Sequence, residues 1–137
     1  GGTLVMQYNT PQDMATTKLG PYPITLGGDK RVTEEDATIT FTDPKSKLLN
    51  TPNKITDTDF EGWVQERGLY FAAKWDDKYT TFLSMHDTGE EPLTGGTLYT
   101  KYGKGNYIYT CLSFSRQLPA GNKGAIRLLM NFLSAGK

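Results

Sequence analysis

The sequence contains a single histidine, His86, and a single cysteine, Cys111, so a catalytic set built on either type must use that residue. Asp87 follows His86, but no Gly-x-Ser-x-Gly segment supplies the serine of a Ser-His-Asp triad. A lone histidine before a turn is more often an ordinary polar residue. One His and one Cys far apart also lack zinc-ligand spacing. The sequence therefore predicts no catalytic residues and no metal ligands.

Cys111 lies within residues 109–112, which read as a strand. A reactive thiol needs an adjacent base and an electropositive, accessible position, so we expect Cys111 to be a small buried apolar residue. Residues 103–105 read Gly-Lys-Gly, but they lack P-loop spacing and a strand follows, which indicates a hairpin turn. Acidic residues cluster at 34–36, 57–61 and 90–91 without the periodicity of a calcium loop, which favours solvated turns.

Two stretches place charged and amide side chains beside aromatic residues. One contains Glu66 and Arg67, and the other contains Arg116 and Gln117. Arginine can hold a carboxylate ligand through two parallel hydrogen bonds, but buried Arg–Glu pairs also fix loops in place. Both interpretations stay open, and these four residues are the candidate ligand-binding residues.

The elements that would position these residues are short. Residues 3–8 form an apolar run typical of a buried strand, and residues 97–102 and 107–114 flank a Gly-containing turn, which predicts a β-hairpin. Residues 122–135 form the clearest helix, which Asn122 can cap and Gly136 can end. The helix has an apolar stripe that should cover the sheet: Ala125, Ile126, Leu129, Phe132 and Leu133.

Composition narrows the classes of partner. The chain has 137 residues, the size of a single domain, and carries 15 basic and 15 acidic residues. A formal charge of zero gives no net attraction to nucleic acid or to an anionic membrane, so neither is an expected partner. The apolar runs are shorter than the roughly twenty residues that a membrane span needs. One cysteine leaves the cellular compartment open.

Nearly the whole chain resembles the C-terminal region of bacterial PIG-L/LmbE-type N-deacetylase proteins, where a glutamine-amidotransferase-like domain follows the deacetylase domain. The most specific stretches are Trp-Val-Gln-Glu-Arg-Gly at residues 63–68 and Arg-Gln-Leu-Pro-Ala-Gly at residues 116–121. The other stretches are residues 1–9, 31–35, 49–55, 59–71 and 102–105.

This resemblance implies an α/β fold, mixed α+β within this chain, from a flavodoxin-like, class I glutamine-amidotransferase-like three-layer sandwich. Residues 1–137 would be one domain, the later portion of an amidotransferase-like domain within a larger protein. A strand that begins at once agrees with this, since a parallel strand normally follows a helix. In the family, zinc-dependent deacetylation of sugar amides belongs to the N-terminal domain, and its His-Pro-Asp-Asp motif has no counterpart here. Zinc is therefore expected only in that upstream domain.

The leading functional hypothesis is a non-catalytic accessory domain that packs on a carbohydrate deacetylase domain of the same polypeptide or shapes access to it. A free-standing carbohydrate-binding module is the alternative, because sixteen aromatic residues could stack on sugars. A minimal hydrolase using His86 with Glu66 or Asp87 is a further alternative. An unpaired edge of the first strand could also support a homodimer. A bacterial protein of this kind could be secreted or periplasmic, and no signal peptide is present in the sequence.

Overall fold

The computed structural model describes residues 1–8, 10 and 19–137, which form a mixed α and β fold of short elements. Its seven strands and two α-helices follow in chain order: β1 Thr3–Gln7, β2 Ile24–Leu26, β3 Ile39–Phe41, β4 Ala72–Trp75, β5 Leu83–Met85, β6 Thr97–Tyr102, β7 Gly105–Thr110, α1 Phe114–Gln117 and α2 Lys123–Leu133. Two 3₁₀ turns, Lys47–Leu49 and Asp57–Phe60, lie between β3 and β4.

The main sheet has the strand order β1-β7-β6, with β1 parallel and β6 antiparallel to β7. The predicted hairpin is confirmed. Tyr102 pairs with Gly105, so its turn is only Gly103 and Lys104, and Gly103 adopts the positive φ of 57° that such tight turns need. The second arm ends at Thr110 instead of continuing to Phe114, which belongs to α1.

Strand β7 is the centre of this sheet, and its residues from Asn106 to Thr110 are buried. Ile108 and Thr110 point to one face of the sheet, and Tyr107 and Tyr109 point to the other. All four residues are buried, so both faces of β7 are covered.

Strand β1 was predicted to be buried, but it is a half-buried edge strand. It pairs with β7 from Thr3 opposite Asn106 to Gln7 opposite Thr110. No strand among the described residues pairs with its other edge. Leu4 is 55% exposed, whereas Thr3, Val5 and Met6 are half-buried.

Two further sheets have two antiparallel strands each, β2 with β4 and β3 with β5. The Trp63 side chain packs in the core, and its indole donates to Asp59 O at 3.0 Å. The 3₁₀ turn Asp57–Phe60 follows Thr56, whose amide donates to Asp59 Oδ2 at 2.9 Å.

Helix α2 begins as predicted, since Asn122 Oδ1 accepts a hydrogen bond from the Ala125 amide at 2.9 Å. Its C-cap is Ser134, two residues before the expected Gly136. The predicted apolar stripe is partly wrong, because Ile126 and Leu133 are exposed. The buried face is instead formed by Ala125, Leu128, Leu129, Asn131 and Phe132. Asn131 can be buried because its amide donates to Leu48 O and Asn53 O. The pattern of apolar residues in the sequence therefore did not include this polar member of the buried face.

These elements confirm a mixed α and β fold. The flavodoxin-like three-layer sandwich is the finer prediction, and it stays a prediction. Within the described ranges, no helix is long and apolar enough to cross a bilayer.

Candidate functional site

The two polar stretches converge beside the carboxyl ends of β1 and β7. Ser113, which follows β7, donates from its amide to Arg67 O at 2.8 Å and from its hydroxyl to Glu66 O at 2.6 Å. The Tyr8 amide continues the β1 ladder by donating to Thr110 O at 2.9 Å. Open α/β sheets commonly bind ligands at this end of their parallel strands. The four candidate residues therefore lie in one region, although their side chains differ in burial and in hydrogen-bond partners.

Gln117 is fully buried and its amide group is occupied by backbone. Its Oε1 accepts from the Val64 amide at 2.8 Å, and its Nε2 donates to Val64 O at 2.8 Å and to Ser113 Oγ at 2.9 Å. An amide with these three partners has little capacity left for a ligand. In the described structure its role is to join α1 to the segment before Glu66.

The Arg67 guanidinium is buried and also bonds to backbone. It donates to Phe60 O and, at 2.8 Å, to Ala37 O, and it lies 5.8 Å from the ring centres of Phe60 and Trp63. Burial lowers the pKa of Arg67, and the charge of Asp36 opposes that shift. Arg67 thus connects three loops.

Arg67 also lines an open cleft of about 500 Å³ whose rim is acidic. Glu35, Asp36, Asp57 and Glu61 contribute to that rim. A rim of four carboxylates around one buried cation does not favour an anionic ligand. We therefore assign Arg67 to the framework.

Glu66 and Arg116 behave differently, because their charged groups meet without a hydrogen bond. Glu66 Oε1 lies 3.8 Å from Arg116 Nε, beyond hydrogen-bonding distance. The Glu66 side chain is only 5% exposed, whereas that of Arg116 is 50% exposed. A nearly buried carboxylate beside a half-exposed guanidinium is a charged pair with one accessible member, which makes this pair the candidate site.

Two tyrosines complete this region. The rings of Tyr8 and Tyr70 form an edge-to-face pair with centroids 6.1 Å apart, and both residues have positive φ angles, 44° and 58°. Burial raises the pKa of Tyr8, the charge of Glu66 adds to the effect, and Arg116 opposes it, which places the Tyr8 phenol near both groups. We call Tyr8, Glu66, Tyr70 and Arg116 the Glu66 site. Tyr8 was missed by sequence reasoning, although its place directly after a parallel strand was an available signal.

The residues considered for nucleophilic or acid–base chemistry lie in other environments. Cys111 is buried, its thiol donates to Gly96 O at 3.4 Å, and burial raises its pKa well above the usual range. His86 Nδ1 lies 2.9 Å from Asp87 O, and the Asp87 carboxylate accepts hydrogen bonds from Thr33 and Glu34. In the part of the chain described here, no hydrogen bond joins His86 to a carboxylate or a nucleophile.

A second surface includes Leu4 of β1 and Tyr102 at the end of β6. Leu4 and the 62% exposed Tyr102 line a cleft of about 590 Å³ together with Met6, Leu19 and Pro21. We call it the Leu4 cleft. Tyr102 is the one exposed aromatic residue among the described residues, so the structure presents no flat row of rings for sugar stacking.

Among the described residues, no group of three or more His, Cys, Asp or Glu side chains is arranged to hold a metal ion. No family model matches the chain, and neither do curated protein sequences or solved structures. The family resemblance therefore stays a sequence-based prediction, and the functional argument depends on the two surfaces.

Proposed function

We propose that the chain is a non-catalytic accessory domain of a PIG-L/LmbE-type carbohydrate N-deacetylase, and that it packs on the deacetylase domain of the same polypeptide. The sequence resemblance supports the identity of that partner. The Leu4 cleft supports the docking, and it is the observation on which the proposal rests.

The Leu4 cleft has the character of a surface that another element covers. Parallel strand pairs are usually buried on both faces, because the connections between them pack helices there. Here Leu4 of β1 and Tyr102 of β6 are both more than half exposed. Burying a leucine of this kind contributes about 1.5 kcal/mol. A partner that covers Leu4, Met6 and Tyr102 therefore has a favourable apolar contact available.

The edge of β1 points to the same partner. Within residues 1–8, 10 and 19–137, β1 is an edge strand with no other strand beside its outer side. An edge strand beside an apolar cleft suits the addition of a strand or a helix. Zinc-dependent hydrolysis would then take place in the partner domain, and this chain would stabilise it or shape access to it.

The test compares hydrogen exchange in this chain with exchange in the natural gene product. We expect the natural product to be longer and to hydrolyse N-acetyl sugars with zinc, and its amides at Thr3–Gln7 to exchange at least about tenfold more slowly than in this chain. A natural product of this length, or equal exchange in both, would contradict the proposal.

Variants separate docking from folding. Leu4→Asp should abolish the added protection of β1, whereas Leu133→Asp should leave it unchanged, since Leu133 is 51% exposed on α2. A self-association of the isolated chain that Leu4→Asp eliminates, without any longer natural product, would show that a second copy covers the cleft.

A further inference from the structure

We infer that the acidic cleft lined by Arg67 binds a peptide segment that carries two or more lysine or arginine side chains. We call this surface the Arg67 cleft. Its carboxylates, a buried donor without an acceptor and its apolar wall would each contact a different part of such a segment. The Arg67 cleft shares no lining residue with the Leu4 cleft, so this inference and the proposed docking can fail separately.

The first observation is the excess of negative charge around the cleft. The four rim carboxylates belong to exposed residues, and none of them forms a salt bridge in the part of the chain that the structure describes. Arg67 is the one cation among the lining residues, and it is buried and bonded to backbone. Clustered charges of one sign attract mobile charges of the other, so the cleft favours a cationic ligand. The rim residues are Glu35, Asp36, Asp57 and Glu61.

The spacing of these carboxylates favours an organic cation over a metal ion. Within the described ranges, no three side chains of the metal-binding types His, Cys, Asp and Glu converge closely enough to hold a metal ion. The carboxylates instead surround a cleft of about 500 Å³, a size typical of sites for ligands of many atoms. Cationic groups on separate flexible arms, such as two lysine side chains, can reach separate carboxylates.

The second observation is a buried donor without an acceptor. The Arg67 Nη atoms donate to Phe60 O and Ala37 O, but the buried Nε has no hydrogen-bond partner among the described residues. A buried donor left in that state is costly. Ala37, Phe60 and the neighbouring Trp63 all line the cleft, so an acceptor would approach Nε through it, with a small shift of the covering side chains.

A basic peptide supplies the groups that complement all of these features. Its ammonium or guanidinium groups pair with the rim, and a backbone carbonyl can accept from Arg67 Nε. The aliphatic stems of its basic side chains can pack on the half-buried Ile39. A protonated diamine has the cations and the stem but no acceptor. An acidic peptide has the carbonyl groups but is repelled by the rim.

The experiment is an NMR titration of the chain with acetyl-Gly-Lys-Ala-Lys-Gly-amide. The comparison ligands are the same peptide with glutamate at both lysine positions and the diamine 1,8-diaminooctane. We expect the basic peptide to shift the amides of residues 35–39 and 57–63, with a dissociation constant on the order of 1 mM. The acidic peptide should cause no such shifts. The diamine should bind at least about fivefold more weakly, because it cannot accept a hydrogen bond.

The side-chain Nε–Hε signal of Arg67 tests the second observation directly. We expect the basic peptide to shift this signal, because a hydrogen bond forms at Nε, and the diamine to leave it in place. The signal is assigned through the backbone of Arg67 in the wild-type chain. The measurement therefore needs no substitution of a buried residue.

Matched double variants separate the cleft from the overall charge of the chain. Asp36→Asn with Glu61→Gln removes two rim charges and should weaken binding of the basic peptide by about three- to tenfold. Asp77→Asn with Glu91→Gln removes two charges elsewhere and should leave binding unchanged. All four residues are exposed, so both double variants should fold as the wild type does.

Four results would overturn the inference. The first is the absence of shifts at residues 35–39 and 57–63 with roughly 20 mM basic peptide. The second is equal peptide binding by the two double variants. The third is a diamine that binds as tightly as the basic peptide, and the fourth is an Arg67 Nε–Hε signal that the bound peptide does not shift.

Discussion

The side-chain amide of Gln117 forms two hydrogen bonds with the backbone of one residue, Val64. Its Oε1 accepts from the Val64 amide and its Nε2 donates to Val64 O, each at 2.8 Å. The amide thus replaces the backbone partner that a neighbouring strand would supply. The same side chain contacts Ser113, so α1, the end of β7 and the segment before Glu66 are joined at one point.

We expect Gln117→Ala to lower the free energy of unfolding by about 2–3 kcal/mol, because the Val64 amide loses its partner and Val64 O keeps only the hydrogen bond from the Glu66 amide. Urea denaturation measures this loss. The matched change Gln65→Ala should cost less than about 0.5 kcal/mol, since Gln65 is exposed. Equal losses in the two variants would show that the Val64 contacts contribute little.

The sequence grouped Gln117 and Arg67 with Glu66 and Arg116, and the structure explains why that grouping was only partly informative. Residue type shows that a side chain can bond to a ligand, but it does not show whether backbone groups already occupy it. The Arg67 guanidinium is directed to carbonyl groups of Phe60 and Ala37, which are seven and thirty residues distant. Contacts of this separation depend on the path of loops, and loops without periodicity give no signal in a single sequence.

The elements of the fold also divide into those that local sequence signals predict and those that depend on contacts distant in sequence. The hairpin and α2 were predictable because Gly103 and Asn122 are local signals that act within a few residues. The position of β1 was not predictable, since the partner of a parallel strand is far away in sequence. Asn131 shows the same limit within α2, because a distant loop satisfies its amide and allows a polar residue in the core.

Asp87 should make the stability of the chain depend on pH in the acidic range. Burial alone would raise the pKa of Asp87, but hydrogen bonds from the amides of Glu34 and Thr33, from the Thr33 hydroxyl, and the charge of Arg31 lower it below the usual value. A lowered pKa in the folded state means that this contribution is present above about pH 4 and is lost as the pH falls further.

We expect Asp87→Asn to cost about 2 kcal/mol at pH 7, because its amide would place a donor against the donors of Thr33 and Glu34. The difference from wild type should shrink when urea denaturation is repeated at pH 3. The exposed Asp77 provides the control Asp77→Asn, for which little change is expected at either pH. A difference that stays constant from pH 7 to pH 3 would contradict the assignment.

Cys111 should be chemically inert in the folded chain. Its thiol is buried, donates to Gly96 O, and has a raised pKa because of burial, so the reactive thiolate is scarce and enclosed. We expect Ellman's reagent to react at least about 100-fold more slowly in buffer than in 8 M urea. Since this is the only cysteine in the sequence, the unfolded chain should release one equivalent of the reagent's coloured thiolate product. Rapid reaction in buffer would indicate that the segment directly after β7 opens, and it would reopen the question of a nucleophilic role.

Gly124 tests whether close packing outweighs helix propensity in α2. Alanine favours a helix interior over glycine by about 1 kcal/mol, so propensity alone predicts that Gly124→Ala is stabilising. A Cβ at this position, however, would lie 1.9 Å from Asp59 O and 2.4 Å from Asp59 C. Those atoms belong to the backbone of the 3₁₀ turn Asp57–Phe60, so they cannot move aside as a flexible side chain would.

We therefore expect Gly124→Ala to destabilise the chain by more than about 2 kcal/mol in urea denaturation, with α2 shifted away from the turn. The hydrogen bond from Arg127 Nε to Asp59 Oδ1, at 2.9 Å, spans the same contact and should weaken with it. Gly28→Ala is the matched control. Apart from its two chain neighbours, no residue has an atom within 4 Å of the added Cβ, so the free energy of unfolding should be nearly unchanged. If Gly124→Ala instead stabilises the chain, the gain in helix propensity exceeds the cost of the contact, and the 3₁₀ turn can move away from α2.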